Sequence, residues 1–88
     1  MPGYRIGLRA SAEKHLAVLD ESARRRVAAA IDTLGSNPRP PGAIAMRGAA
    51  GLLRLRVGDY RIIYTVSDRE LVVLVIDVGH RREIYRRH

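Results

Sequence analysis

Apolar and polar residues alternate at the start of the chain. Over 4–9, Tyr4, Ile6 and Leu8 share one face, which is the period of a short strand. The period then lengthens. Ser11 is placed to cap a helix, Glu13 sits in its first turn where the helix dipole favours a carboxylate, and Ala12, Leu16 and Leu19 follow at helical spacing. Asp20 or Ser22 caps a second helix whose apolar stripe is Ala23, Val27, Ala30, Ile31 and Leu34, and Gly35 with Pro38 ends it. The segment 36–51 is rich in proline and glycine and reads as a loop. Alternation returns over 52–57, where Leu53, Leu55 and Val57 face one way and Arg54 and Arg56 the other. Gly58-Asp59 makes a tight turn, 60–67 a second strand and 67–70 a second turn. The run 71–78 is apolar on both faces, as a central strand is, before Gly79 breaks it and an arginine-rich tail runs to His88.

The predicted order is β-α-α-β-β-β. This is an α+β fold in which a helical hairpin covers one face of a mostly antiparallel four-stranded sheet and leaves the other open, followed by a short basic tail. With 88 residues the chain has room for one domain, 1–88. Phe, Trp and Cys are absent, so the core must come from aliphatic residues and a few tyrosines, and disulfides and Cys-ligated metals are excluded. The three His are too scattered to suggest a metal site, and no cofactor is expected. No apolar run approaches the ~20 residues that span a bilayer and nothing resembles a signal peptide, so no membrane role is expected and the cytoplasm is the expected compartment.

Charge narrows the picture further. Lys and Arg total 16 against 9 acids, a formal +7, and Lys14 is the sole lysine. Arginine keeps its charge at physiological pH and grips phosphate through two parallel hydrogen bonds. Such a surface points to nucleic acid or to an acidic protein partner, although solubility alone can also require it.

Two segments resemble a known family. Leu53-Arg54-Leu55-Arg56-Val57-Gly58-Asp59-Tyr60-Arg61-Ile62-Ile63-Tyr64 and Val75-Ile76-Asp77-Val78-Gly79-His80-Arg81-Arg82-Glu83-Ile84-Tyr85 are similar to recurrent pieces of the RelE/ParE toxin superfamily. The predicted strand order suits that fold. The resemblance implies the toxin of a type II toxin–antitoxin pair, held as a hetero-oligomer by a cognate acidic antitoxin. RelE-like members cut mRNA in the ribosomal A site without metal, through attack of the RNA's own 2′-hydroxyl. ParE-like members instead inhibit DNA gyrase and have no catalytic activity, and a decayed toxin would only bind its antitoxin.

On the RelE-like reading, the resemblance assigns basic cleft residues to Arg54, Arg61 and Arg81, and to Tyr85 the tyrosine that stacks on a base or orients the 2′-hydroxyl. Arg56 shares a strand face with Arg54, and Arg82 and Arg86 add phosphate contacts from the tail. His80 is the obvious proton shuttle beside such a cleft, or else a cap after Gly79. Tyr60 and Tyr64 share a face with Ile62 and Val66 and read as core. His15 reads as structural or surface, and His88 as disordered. Leu52 stands where some RNA-cutting members carry another basic residue, which leaves the acid–base equipment sparse because arginine is a poor base. The expectation on which this reading depends is geometric: Arg54, Arg61 and Arg81 should converge on one uncovered hollow.

Overall fold

A computed structural model describes residues 3–88. The elements are β1 (Arg5–Leu8), α1 (Ala10–Ala17), α2 (Glu21–Ser36), β2 (Ile44–Ala45), β3 (Leu53–Val57), β4 (Tyr60–Ser67), β5 (Val72–His80) and α3 (Arg81–Arg87). The strands form one sheet in the order β1-β5-β4-β3-β2. β1 runs parallel to β5, and every other pairing is antiparallel. The α1–α2 hairpin carries the chain from β1 at one edge to β2 at the other, and its apolar stripe supplies the helical side of the core.

That core joins Ala12, Val27, Ile31 and Leu34 of the helices to Leu55, Ile62, Tyr64, Val73, Val75 and Val78 of the sheet. Tyr64 is fully buried, and its hydroxyl donates to the Pro38 carbonyl at 2.7 Å, fastening the start of the long loop. Burial pushes the Tyr64 phenol up from its ordinary pKa. None of the described helices is long and apolar enough to cross a membrane.

Four local details differ from the sequence-based expectation. Ser11 does not cap α1. The cap position is Arg9, and the Ser11 hydroxyl instead donates to Ile76 O of β5 at 3.0 Å. Asp20 does cap α2, accepting from Ala23 N at 2.8 Å. The loop 36–51 contains an extra edge strand: Ile44 and Ala45 pair with Arg54 and Leu53, making five strands where four were expected. Gly79 does not end its strand either. It pairs with Arg61 inside β5, and an added Cβ there would stand 2.6 Å from Arg87 Nη2 and 3.6 Å from Ile84 Cγ1. Its lack of a side chain lets a helix lie close on the strand.

That helix is the fourth difference. The basic tail is α3, and it packs on β5 and β4 across the face expected to be open. Ile84 of α3 and Ile63 of β4 are both fully buried, yet stand outside the main core cluster. They mark a second, smaller apolar contact on the far side of the sheet. His88, expected to be disordered, instead donates to Asp77 at 3.0 Å.

Candidate nucleic-acid interface

Strand alternation sends Arg54, Arg56, Arg61 and Ile63 to the sheet face opposite the α1–α2 hairpin. In the β3–β4 register Arg56 stands directly across from Arg61. Like charges opposed in this way destabilise a hairpin. Both guanidinium groups turn toward the tight turn between the strands. Arg56 Nε donates to Gly58 O at 3.3 Å, and Arg61 Nη1 donates to Gly58 O and to Tyr60 O, each at 3.1 Å. Gly58 has φ +60°, a left-handed conformation that glycine adopts freely, and the Arg26 guanidinium of α2 lies against it.

Arg61 departs most from ordinary arginine behaviour. It is only 7% exposed, and its Nε is buried without any hydrogen-bond partner. An orphaned buried donor of this kind costs roughly 1–3 kcal/mol, and local rules are broken in this way mostly at functional sites.

α3 brings the remaining residues. Arg81 N donates to Asp59 O at 2.8 Å, so the helix begins at the same turn. Arg81 and Tyr85 are one helical turn apart and share a face of α3. Tyr85 is 55% exposed, and its hydroxyl accepts a hydrogen bond from Arg54 Nη1 at 2.9 Å. The resulting constellation is a band running from the Gly58-Asp59 turn, with Arg56, Arg61 and the start of α3, to the Arg54–Tyr85 contact. Among the described residues, Arg54, Arg56, Arg61 and Arg81 make no salt bridge, whereas Arg25, Arg39, Arg86 and Arg87 all face a carboxylate.

The structure redraws the expected cleft. Arg54 bonds Tyr85, Arg61 turns to Gly58 O and Tyr60 O, and Arg81 opens α3 at Asp59, so their contacts do not bring the three to one hollow. A hollow of about 320 Å³ does border Arg54, but its other walls are Ile44, Ala45, Met46 and Arg47 from the loop. That volume is at the small end for ligand sites. Arg47 was missed, since a loop arginine carries no periodic signal, and so was Arg26, whose approach to Gly58 depends on packing. Arg82 and Arg86 are exposed on a neighbouring face of α3, and Arg86 lies 3.9 Å from Glu83.

His80 does not join the arginines. It pairs with Tyr60 in the sheet and meets that ring edge-on, with centroids 5.8 Å apart. Its Nδ1 accepts from Arg82 N at 3.3 Å, so it caps α3. Tyr60 packs against the main core, which places His80 on the α1–α2 side.

A second cluster, centred on Asp77, was not anticipated. Asp77 is 3% exposed. His15 Nδ1 donates to its Oδ1 at 2.6 Å, Arg87 Nε to its Oδ2 at 2.7 Å, and His88 Nε2 to its Oδ2 at 3.0 Å. Val78 N also donates to Oδ1 at 2.9 Å. Burial alone would raise the Asp77 pKa, but the hydrogen bonds from Arg87, His15 and His88 overcome it and hold the carboxyl below its usual range. The signal was present in the sequence: a lone acid inside a strand apolar on both faces must find partners.

Known proteins resemble both this fold and these segments. A family model described as ParE toxin of type II toxin-antitoxin system, parDE, matches residues 6–85. Toxin RelG of Mycobacterium tuberculosis is 36% identical over 58 residues, covering 66% of this chain and 67% of that protein. A putative RelE-like toxin protein of Escherichia coli is 30% identical over 80 residues, covering 89% of this chain and 83% of that one. The toxin fold recurs in the crystal structure of the archaeal RelE-RelB complex from Pyrococcus horikoshii, with a TM-score of 0.78, 30% identity, and coverage of 92% of this chain and 97% of that one. With a family match over nearly its whole length and a RelE-like architecture, the chain belongs to the RelE/ParE superfamily of toxins from type II toxin–antitoxin systems.

Proposed function

We propose that this toxin is a ribosome-dependent endoribonuclease that cuts mRNA in the A site without metal and so inhibits translation in the cytoplasm. Arg54, Arg61 and Arg81 do not share one hollow, so the reading rests on a different observation: the sheet face under α3 holds arginines without carboxylate partners, one of them buried with an orphaned donor, beside an exposed tyrosine. Uncompensated guanidinium groups are suited to a polyanion. An exposed aromatic next to them gives a base something to stack on, worth ~1–3 kcal/mol.

In this reaction the 2′-hydroxyl gives up its proton to water as its oxygen attacks the adjacent phosphorus, the bond to the 5′-oxygen breaks and that oxygen takes a proton from water, and a 2′,3′-cyclic phosphate remains. Tyr85, fixed by Arg54, orients the 2′-hydroxyl or stacks on its base. Arg61 and Arg81 stabilise charge on the phosphorane, and donors aimed at such developing charge supply a large part of the rate. Arg56 and Arg82 hold flanking phosphates, with Arg86 at the outer edge. The cognate antitoxin is an acidic protein that neutralises the same face, forming a hetero-oligomer with this chain.

The alternative is a gyrase inhibitor without catalytic activity. It is favoured by the place of His80, which packs edge-on against Tyr60 on the α1–α2 side of the sheet, away from the arginines. Primer extension on mRNA in a purified translation system separates the two. Cuts confined to the A-site codon are the expected result. Intact mRNA together with lost gyrase supercoiling would overturn the nuclease reading in favour of the inhibitor.

A further inference from the structure

We propose that Asp77 is a positioning residue, a buried carboxylate that clamps the last turn of α3 to α1 and β5 and thereby holds Tyr85 against Arg54. Its effect on cleavage rests on the nuclease reading above, whereas its effect on Tyr85 does not.

The argument begins with α3 itself. Seven residues with one buried apolar side chain, Ile84, do not make a helix that holds its own place. The N-terminal end is fixed twice, by Arg81 N on Asp59 O and by the His80 cap. At the C-terminal end, Arg87 and His88 both bond Asp77 Oδ2, and Arg87 Nη2 also donates to Val78 O at 3.1 Å. From the other side His15 of α1 takes Oδ1. Asp77 can reach both helices because of where it sits: β1 ends at Leu8 opposite Val75, so β5 has a free edge beyond that point, and the β4–β5 register slips between Ile63 and Tyr64. The local irregularity turns the carboxylate into the gap between α1 and α3.

Everything α3 offers to a ligand lies between its two anchors. Tyr85 is two residues from Arg87, and the Tyr85–Arg54 bond is the contact that joins α3 to β3. Losing the C-terminal anchor would let the helix end swing while its start stayed tied at Asp59. Tyr85 would then leave Arg54, with the main core untouched on the other side of the sheet. Gly79 fits the same scheme, since a side chain there would collide with the Arg87 guanidinium.

The test compares the wild type with Asp77→Asn, Arg87→Gln and Arg87→Lys. Asparagine keeps an acceptor for Val78 N and removes the charge. Each protein is labelled with fluorotyrosine and read by ¹⁹F NMR, where four signals report Tyr4, Tyr60, Tyr64 and Tyr85. Asp77→Asn and Arg87→Gln should move the Tyr85 signal toward that of an unstructured peptide and leave Tyr60 and Tyr64 in place. On programmed ribosomes, kcat should fall about 10- to 100-fold with KM within about twofold, the size expected when a catalytic contact is misplaced by about an ångström. Arg87→Lys, which keeps the charge, should restore most of the rate.

An unmoved Tyr85 signal in both charge-removing variants would overturn the clamp. So would an equal disturbance of all four signals, which would make Asp77 a general fold residue. If Asp77→Asn does not fold, Arg87→Gln in the outer turn decides the matter. Should the wild type itself leave mRNA intact, the nuclease reading fails and the Tyr85 signal alone judges the clamp.

Discussion

Two clusters of charge lie at the two ends of α3, and they are built on opposite principles. Around the Gly58-Asp59 turn, arginines gather without a salt bridge to any carboxylate among the described residues, and Arg61 is buried with a donor to spare. Around Asp77, a single buried carboxylate takes hydrogen bonds from three basic side chains and one backbone amide. The second arrangement is complete in itself and needs nothing from outside. The first is incomplete, which suits a partner that supplies negative charge, as the proposed function requires. The difference separates what binds from what holds.

The sharpest way to break this contrast is to remove the arginines of the incomplete cluster one at a time. Arg61→Met and Arg81→Met should each lower the cleavage rate by about 10²–10³-fold, the usual loss when one donor to a developing oxyanion is deleted. Growth arrest on expression should vanish accordingly. A fully toxic Arg61→Met would detach this face from the activity.

Stability should move in opposite directions at the two clusters. Replacing a buried charge that lacks a counter-ion by an apolar side chain is often neutral or stabilising. Arg61→Met should therefore leave the midpoint of urea unfolding unchanged or raise it. Asp77→Ala strands the Arg87, His15 and His88 donors that were paired with a buried carboxylate, and because those partners keep 23–30% of their side-chain surface in water, hydration recovers part of the loss. A cost of about 2–3 kcal/mol is expected. Equal effects of the two substitutions would erase the distinction.

The same distinction explains which parts of the molecule could be read in the sequence. Period-two alternation in 52–57 and 60–67 and the stripe Val27, Ile31, Leu34 gave the strands and helices that build the main core, because burial on one face imposes the pattern. It also gave the shared face of Arg54 and Arg56. β2 escaped because two residues have no period and its pairing follows from how the loop closes, with Met46 N on Leu52 O. α3 escaped because only Ile84 in that arginine-rich segment is buried. With α3 misread as an open tail, the Arg54–Tyr85 contact, 31 residues apart, could not be foreseen. His15 and His88 acquire a role solely through Asp77, whose partners lie 62 and 11 residues away. Pairing over such distances leaves a composition signal, an acid in an apolar strand, but no spacing signal.

A smaller effect should appear in the salt dependence of RNA binding. Each phosphate contact to a single strand contributes about 0.7 to the slope of log K against log salt. Arg54→Gln and Arg56→Gln should each lower the slope by about that amount. Arg25→Gln and Arg39→Gln, whose charges already face Glu21 and Asp68, should leave it unchanged. Fluorescence titration across a series of potassium chloride concentrations measures it, and equal slopes for all four variants would show that compensated and uncompensated arginines bind RNA alike.

The smallest effect concerns acid. Asp68 anchors the long loop to the sheet: Arg39 grips it at 2.9 and 3.0 Å and the Tyr4 hydroxyl donates to it at 2.6 Å. The hydrogen bonds from Arg39, and then from Tyr4, lower its pKa from 3.8 to about 2. A carboxyl whose pKa is depressed by folding stabilises the protein in full above its unfolded value, and that stabilisation is lost as pH falls through the folded value. Asp77 is depressed as well, with the same sign. Both compensated clusters should thus hold down to about the ordinary carboxylate range and loosen below it, whereas the arginines around Gly58 have no carboxylate salt-bridge partner to lose. Acid titration followed by NMR should show the Tyr4 and Arg39 signals moving below pH 3.8 toward about 2. The guanidinium signals of Arg56 and Arg61 should stay still over the same interval. Because Arg39 and Asp68 are more than half exposed, the anchor is weakened by water and its loss should free the loop without unfolding the core. If Arg56 and Arg61 moved together with Asp68, an unseen carboxylate would be neutralising them, and the incomplete cluster would be complete after all.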